Sequence, residues 1–396
     1  MSYVNFKEEK YTANNQLLKR KKNNDEINIY LIKHKDELIG YYPNERYSYK
    51  KINNELIGKK GTLDEIDFKI IQNEDIICSE FLECDFINLK FKNCRFIGCK
   101  FYNCNFASGG VIFENCILIK EDTEKTPSLN KKDNLSCIFY DCNMYIKFLN
   151  SDISFNIFER CNIKDTSFEQ SNMKSVIIKN SELNMITIED CDFSGVKILE
   201  TYIKDLDFTD NYKTKFDEKT FFDKIKIRNK TKQEYEGIYM TYEILADKFK
   251  ENTLNNNFGE YYYQGKCMQR KSLEILPKLE SYLYWLTCGY GERVEYAVFS
   301  SLVIILIFAV IYLFTGIAIK EEPLRYTMTT MSQLSVMEVL RHLNEVVNLS
   351  VGMFCGVGFN NAQPTELSYM VSNIEMIIGF IMMGVLIGTL TRKLIR

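Results

Sequence analysis

The chain has 396 residues, which at roughly 100–200 residues per domain allows two to four domains. Lys and Arg number 50 against 53 Asp and Glu, a formal charge of −3, so neither a strongly basic nucleic-acid binder nor an acidic solvated tail is indicated. Five prolines and 46% hydrophobic residues exclude a wholly disordered chain.

Residues 1–30 are polar, carry the basic run Lys19-Arg20-Lys21-Lys22 and show no secretory signal, so the chain is expected to begin in the cytosol. Residues 1–77 are rich in Lys and Asn. They are expected to form an N-terminal cap, of a fold the sequence does not disclose, over one end of the domain that follows.

From Phe81 a period of five takes over. Phe81, Phe86, Phe91, Phe96, Phe101 and Phe106 are evenly spaced, with Cys84, Leu89, Cys94, Cys99 and Cys104 two places before the last five. The pattern returns at Phe148 and holds through Ile153, Phe158, Ile163 and Phe168 to Phe208, with partners two places earlier that include Cys161, Thr166, Ser171, Val176, Ile186 and Leu206. Helical faces recur at 3.6 residues and strand faces at 2, so neither element has this period. A five-residue unit can instead make one side of a square coil that points one large and one small side chain inward. Stacked coils then pair their backbones at the usual strand spacing of about 4.8 Å. The polar stretch 121–136 breaks the register and is expected to be a loop thrown out from the stack.

These repeats resemble the pentapeptide-repeat family over about 78–210, and the resemblance implies a right-handed quadrilateral β-helix. Ten of the 13 cysteines fall between Cys78 and Cys191, mostly at the small inward position. They are read as reduced core residues and not as a disulfide framework or metal cluster. With only His34 and His342, a His-built zinc site or a Ser-His-Asp relay is not expected. Nor is an enzyme, since no nucleophile–base pair or phosphate loop is visible. Residues 80–210 hold 21 acidic and 15 basic residues, too mild a bias for the DNA mimicry known in soluble members of the family.

Residues 215–290 are expected to be a helical connector built on a hairpin of helices over 231–249 and 257–275. Tyr261-Tyr262-Tyr263 with Lys266, Arg270 and Lys271 is read as hairpin packing beside a membrane surface, not as a nucleic-acid contact.

Residues 296–318 carry no charge and as a helix reach about 35 Å, enough to cross a hydrocarbon layer of about 30 Å. Residues 376–391, extended back through Val371 and Ile374, form a second candidate span, with a buried soluble helix as the alternative for either one. Lys266, Arg270, Lys271, Lys278 and Arg293 precede the first span, and Arg392, Lys393 and Arg396 follow the second. The basic residues therefore put both termini on the cytosolic side of a cell membrane. Between the spans, Val336, Val339, Leu340, Leu343, Val347 and Ser350 predict an amphipathic helix over 335–353. It runs into Cys355-Gly356-Val357-Gly358-Phe359-Asn360-Asn361-Ala362-Gln363-Pro364-Thr365.

The order span, short helix, Gly-containing loop, span resembles the two-transmembrane pore module of the potassium-channel superfamily, over about 294–396. Val357, Gly358 and Phe359 stand where the family signature TVGYGD has Val, Gly and Tyr, and Pro364-Thr365 keep the later spacing. Gly356 replaces the leading Thr, Asn360 the second Gly and Asn361 the acidic residue. A second register sets Gly356-Val357-Gly358 on Gly-Tyr-Gly. The resemblance implies a homotetrameric cation channel in the lipid bilayer, with a filter drawn from Gly356, Val357, Gly358, Phe359, Asn360 and Asn361. Potassium or sodium is the expected ion, with selectivity altered by Gly356 and Asn360, and no cofactor is expected. Gly379 and Gly384 are hinge candidates, with close helix packing as the other reading. Glu375 is a candidate pore support, either behind the filter or at the lipid interface. With no residue written after Arg396, regulation is expected to act through the N-terminal part, which would sense a cytosolic protein or small molecule or set subunit geometry. The competing reading is a non-conducting scaffold of pentapeptide repeats anchored in the membrane.

Overall fold

The computed structural model describes residues 4–35, 38, 40–120, 134–319, 322–327, 335–358 and 362–395. They form two compact units, residues 1–272 and 273–396.

The first unit is a β-solenoid. One of its faces is an eight-stranded sheet of short parallel strands running from Lys51–Asn53 to Phe221–Phe222. Equivalent residues lie one coil, or 20 positions, apart: Phe81 pairs with Phe101 and Ile157 with Ile177. The corners explain the Asn content. Asn73, Glu83, Asn88, Asn93 and Asn103 all have positive φ, the left-handed conformation that Asn adopts more readily than most residues. Inside, rings stack in columns; Phe81, Phe101, Phe139 and Phe158 lie at centroid spacings of 5.0, 4.6 and 4.9 Å.

The small inward residues are hydrogen-bond donors. Cys99 Sγ donates to Ile76 O at 3.1 Å, Cys104 to Phe81 O at 3.4 Å and Cys191 to Phe168 O at 3.3 Å. Ser171 and Thr220 hydroxyls do the same to Phe148 O and Phe193 O. A Cys, Ser or Thr at this position fills a small volume and satisfies a carbonyl of the preceding coil, which is why these residues interchange there. None of the 13 cysteines is in a disulfide, and the ten in the coil are buried.

The N-terminal region departs from expectation. Residues 1–77 are not an end cap. Helix α1 (Phe6–Lys33) lies along one face of the solenoid, while Lys51–Asn53, Leu56–Gly58 and Lys69–Gln72 already belong to coils. Ala13 and Leu17 pack on Ile138, Ile157, Ile177 and Leu199, and Leu31 packs near Ile77 and Ile97. Lys197 holds Glu9 at one end, and Asn28 Nδ2 donates to Gly98 O toward the other. At 1.5 Å per residue α1 reaches about 42 Å, and eight strands at about 4.8 Å stack to about 34 Å, so one helix covers the whole face. The cause is an apolar stripe outside the core: Ile138, Ile157 and Ile177 each precede an inward residue and need cover. The loop expected over 121–136 is shorter at its end, because Leu135–Ser136 is a buried strand paired with Ile119–Lys120. Residues 121–133 lie outside the described residues.

The connector divides between the units. Helices α2 (Lys232–Glu251) and α3 (Asn255–Ser272) close the C-terminal end of the solenoid. Phe249 meets Phe216 at 5.0 Å and Tyr261 at 4.7 Å. The Tyr261 hydroxyl accepts from Phe222 N and donates to Phe222 O, both at 2.8 Å, and the Tyr242 hydroxyl accepts from Ile225 N. These hydroxyls occupy backbone groups that would otherwise form an open strand edge. Lys266 lies over the Tyr239 and Tyr262 rings, so the basic cluster after Tyr263 packs on the hairpin itself.

The second unit contains α4 (Ile275–Cys288), α5 (Val294–Thr315), α6 (Val336–Cys355) and α7 (Tyr369–Ile395). Among the described residues two helices, α5 and the one spanning Glu366–Leu394, are long and apolar enough to cross a membrane. Helix α5 stops three residues before the expected end. Gly316 (φ +102) breaks it, and Ile317–Ile319 enters a three-stranded antiparallel sheet with Glu322–Leu324 and Ala362–Pro364.

Candidate functional site

The site is built where α6 meets α5 and α7. Ser335 starts α6 with a capping box: its hydroxyl accepts from Glu338 N, and the Glu338 carboxylate accepts from Ser335 N. Val346, Leu349 and Met353, at helical spacing, pack against Ala309, Tyr312 and Leu313 of α5. Phe354 joins Ile305 of α5 and Met382 of α7. The start of α6 is held by Tyr326, whose hydroxyl lies 3.0 Å from His342 Nδ1 and whose N–H donates to Leu313 O.

The last turn of α6 lies at the middle of α5. Ser350 Oγ donates to Ile305 O at 2.9 Å, and Ile305 is about halfway along α5. The match to α7 is as deep. A Cβ built on Gly379 would sit 2.1 Å from Phe354 O, so only glycine lets the two helices approach this closely. The chain leaves α6 at this depth and by Ala362 is level with the far end of α5, where Ala362 pairs with Ile319.

A buried carboxylate ties the three helices together. Glu375 of α7 is fully shielded, accepts from Tyr312 Oη of α5 at 2.7 Å and also accepts from Ser350 Oγ of α6. Both partners were absent from the candidate residues. A Tyr inside an otherwise apolar span and a Ser on the apolar face of a short helix were the signals that could have found them.

Of the expected filter residues, Gly356 caps α6 in the left-handed region (φ +66), Val357 is 84% exposed and Gly358 has φ +93. Val357 N donates to Gly352 O, which closes the helix end. Phe359, Asn360 and Asn361 lie outside the described residues. The C-terminal end of α6 carries the partial negative charge of its peptide dipoles toward Gly356–Gly358. Gly379 is a packing glycine at the crossing of α7 with α6, whereas a Cβ built on Gly384 would meet nothing within 4 Å. Among the described residues there is no group of three or more His, Cys, Asp or Glu placed to hold a metal.

Residues 79–118 match the pentapeptide-repeat family, in eight copies. The solenoid geometry and this match agree over residues 79–118, where the coil is built of pentapeptide repeats. No curated protein matches the chain. Among solved structures, QnrB1, a plasmid-mediated fluoroquinolone resistance protein, is 16% identical over 50% of this chain and 96% of its own, with a TM-score of 0.20. The pentapeptide repeat protein Rfr23 from the cyanobacterium Cyanothece 51142 is 14% identical over 36% of this chain and 91% of its own, at 0.15. HetL from Nostoc sp. strain PCC 7120, involved in heterocyst differentiation regulation, is 6% identical over 41% and 85%, at 0.14. Scores this low carry no argument beyond the family match.

Proposed function

We propose that this pentapeptide-repeat protein is a membrane cation channel. In this reading α5 and α7 cross the bilayer and α6 is a re-entrant helix. Four copies bring the segments from Gly356 to Asn361 around one ion path.

One observation carries the reading: the last two turns of α6, through Ser350 and Phe354, meet α5 at Ile305, halfway along a helix long enough to span. Backbone that leaves a helix at mid-membrane depth is tolerated only where it is buried in protein or lines a wet cavity. Left-handed Gly356 and Gly358 let successive carbonyls turn toward such a cavity, where they can replace part of an ion's hydration shell. The helix end behind them favours a cation over an anion. One copy encloses nothing, so the path needs closed symmetry, and four copies is the count that the pore-module resemblance implies.

Arg392 and Lys393 at the end of α7 set the cytosolic side, and the pentapeptide coil belongs to that side. The coil then senses a cytosolic protein or small molecule, or sets the geometry of assembly. Deleting residues 1–210 separates these roles from conduction.

The deciding experiment is ion flux from liposomes holding the full chain, with a reversal potential in mixed potassium and sodium. The expected result is cation flux that Gly358→Ala abolishes while insertion and oligomeric state persist. A properly inserted protein that passes no ion under any applied voltage overturns the channel and leaves the membrane-anchored scaffold.

A further inference from the structure

Helix α4 exposes an unusual surface for a short helix joined to the start of α5. Two arcs of its surface contrast. Ser281, Trp285 and Cys288 face the rest of the unit: the Ser281 hydroxyl lies 2.8 Å from the Tyr290 hydroxyl, Trp285 meets Tyr296 edge-on at 6.0 Å, and Cys288 is buried. Ile275, Leu276, Leu279, Tyr282, Leu283 and Leu286 form a second arc of about 120° at helical spacing, and they are 45–78% exposed. Lys278 borders that arc on one side, and Glu280 with Thr287 on the other; Lys278 and Glu280 are the only charges in the helix.

The direction of α4 follows from its contacts. Trp285 touches Tyr296, and Thr287 O accepts from Ser300 Oγ. Both partners lie in the first two turns of α5. An earlier residue of α4 meets an earlier residue of α5, so α4 does not run back alongside the span but crosses its base. The corner that allows this is three successive left-handed residues, Gly289 (φ +52), Tyr290 (φ +58) and Gly291 (φ +81). The crossing lies within about 10 Å of the start of α5.

We infer that α4 lies in the plane of the membrane, with the arc from Ile275 to Leu286 sunk into the boundary between lipid headgroups and acyl chains. This rests on the proposal that α5 crosses a bilayer. Three observations favour lipid over a protein partner. The arc is continuous in chain and in height with the exposed apolar belt of α5, which begins at Val298 and Phe299. An interfacial helix buries its apolar side chains about 5–10 Å deep, the height at which α4 crosses α5. Tyr282, Tyr284, Trp285, Tyr290 and Tyr296 gather around this one end of the span, and Tyr and Trp concentrate at the headgroup level of a membrane. In this position α4 acts as a float that sets the depth of α5.

The chain has one tryptophan, Trp285, so fluorescence reads α4 directly. The full chain carrying Trp285→Phe is reconstituted in phosphatidylcholine vesicles with a single new tryptophan: Leu279→Trp, Leu283→Trp, Glu280→Trp, Phe299→Trp or Leu306→Trp. All five sites are on the surface, so the core is not disturbed. Leu279→Trp and Leu283→Trp should be quenched several-fold more by lipid brominated near the headgroup than Glu280→Trp, and several-fold less by aqueous iodide. Leu306→Trp should respond to lipid brominated near the chain end. Iodide quenching of Leu283→Trp equal to that of Glu280→Trp puts α4 in water and overturns the inference. Protection from both quenchers puts a second copy or another protein on the arc and overturns it as well. If Phe299→Trp and Leu306→Trp also ignore brominated lipid, the failure is that of the membrane reading itself.

Discussion

The Tyr312 hydroxyl donates to the Glu375 carboxylate at 2.7 Å, and both side chains are fully shielded. With Ser350 as the second donor, one carboxylate fastens α5, α6 and α7 at the depth where α6 ends. A buried acceptor that loses a donor costs about 1–3 kcal/mol, which is large against the net stability of a small unit.

Tyr312→Phe and Ser350→Ala should therefore each lower the thermal midpoint of the detergent-solubilised chain, by an amount equivalent to about 1–3 kcal/mol. The double variant should lose less than the two singles together, since both act on one carboxylate. Strict additivity in that cycle would show that the three groups do not work as one cluster.

Gly379 and Gly384 should behave oppositely. A methyl at Gly379 meets Phe354 O, which is backbone and cannot step aside, so Gly379→Ala should cost at least the ~1–3 kcal/mol typical of overpacking. Gly384 has open space, and Gly384→Ala should be neutral or gain up to about 1 kcal/mol of helix propensity. Retention of monodisperse protein after heating reads both. Equal behaviour of the two variants would remove the packing role assigned to Gly379.

Tyr261→Phe should unlatch the end of the solenoid. The loss of its hydroxyl leaves Phe222 N–H and C=O without their partner in a buried place, at a cost of about 1–3 kcal/mol. Hydrogen exchange should accelerate at Phe222 and stay unchanged at Phe81, six coils away. Unchanged protection at Phe222 would show that another group closes the edge.

Burial pushes the Cys191 thiol up to about 12. An unfolded thiol ionises near 8.5, so between these values the unfolded state releases a proton that the folded state keeps. The contribution is complete below about pH 8.5 and falls by about 1.4 kcal/mol per pH unit above it, up to about pH 12. Cys191→Ser keeps a donor for Phe168 O but does not titrate. Its unfolding midpoint should fall less steeply from pH 8 to pH 10.5 than that of the parent chain, as followed by circular dichroism of the coil. Parallel pH profiles would sink this assignment.

Arg392 Nη2 and the Glu292 carboxylate lie 2.9 Å apart, with Glu292 buried, and Lys393 Nζ donates to Glu292 O. This pins the end of α7 to the base of α5. If α7 lines the path, Glu292→Gln should raise basal flux, and Glu292→Arg with Arg392→Glu should restore it. Flux unchanged in Glu292→Gln would show that this pin does not hold the closed state.

Much of the coil was legible because its period is local. Every fifth residue faces inward whatever lies elsewhere in the chain, so Phe81 to Phe106 and Phe148 to Phe208 declare the coil directly. The run could have been followed further back: Tyr47, Ile52 and Ile57 keep the same step, as do Ile71 and Ile76, and all but Ile71 are fully buried. It was missed because aliphatic residues replace Phe and a 14-residue offset separates Ile57 from Ile71. The apolar stripe Ile138, Ile157 and Ile177 also announced a covering element, but its 20-residue spacing appears only once the coil is assumed.

The pentapeptide period, the two apolar runs and the amphipathic segment between them belong to the sequence alone, because each is a pattern within a few turns of chain. The depth of α6, the clasp at Glu375, the role of Gly379 and the placement of α1 along a face were decided only in the folded molecule. Each is a meeting of residues many positions apart: Ser350 with Ile305, Tyr312 with Glu375, Phe354 with Gly379, Ala13 with Ile157. Such meetings depend on shape and distance between packed elements, and no local period in the chain encodes them.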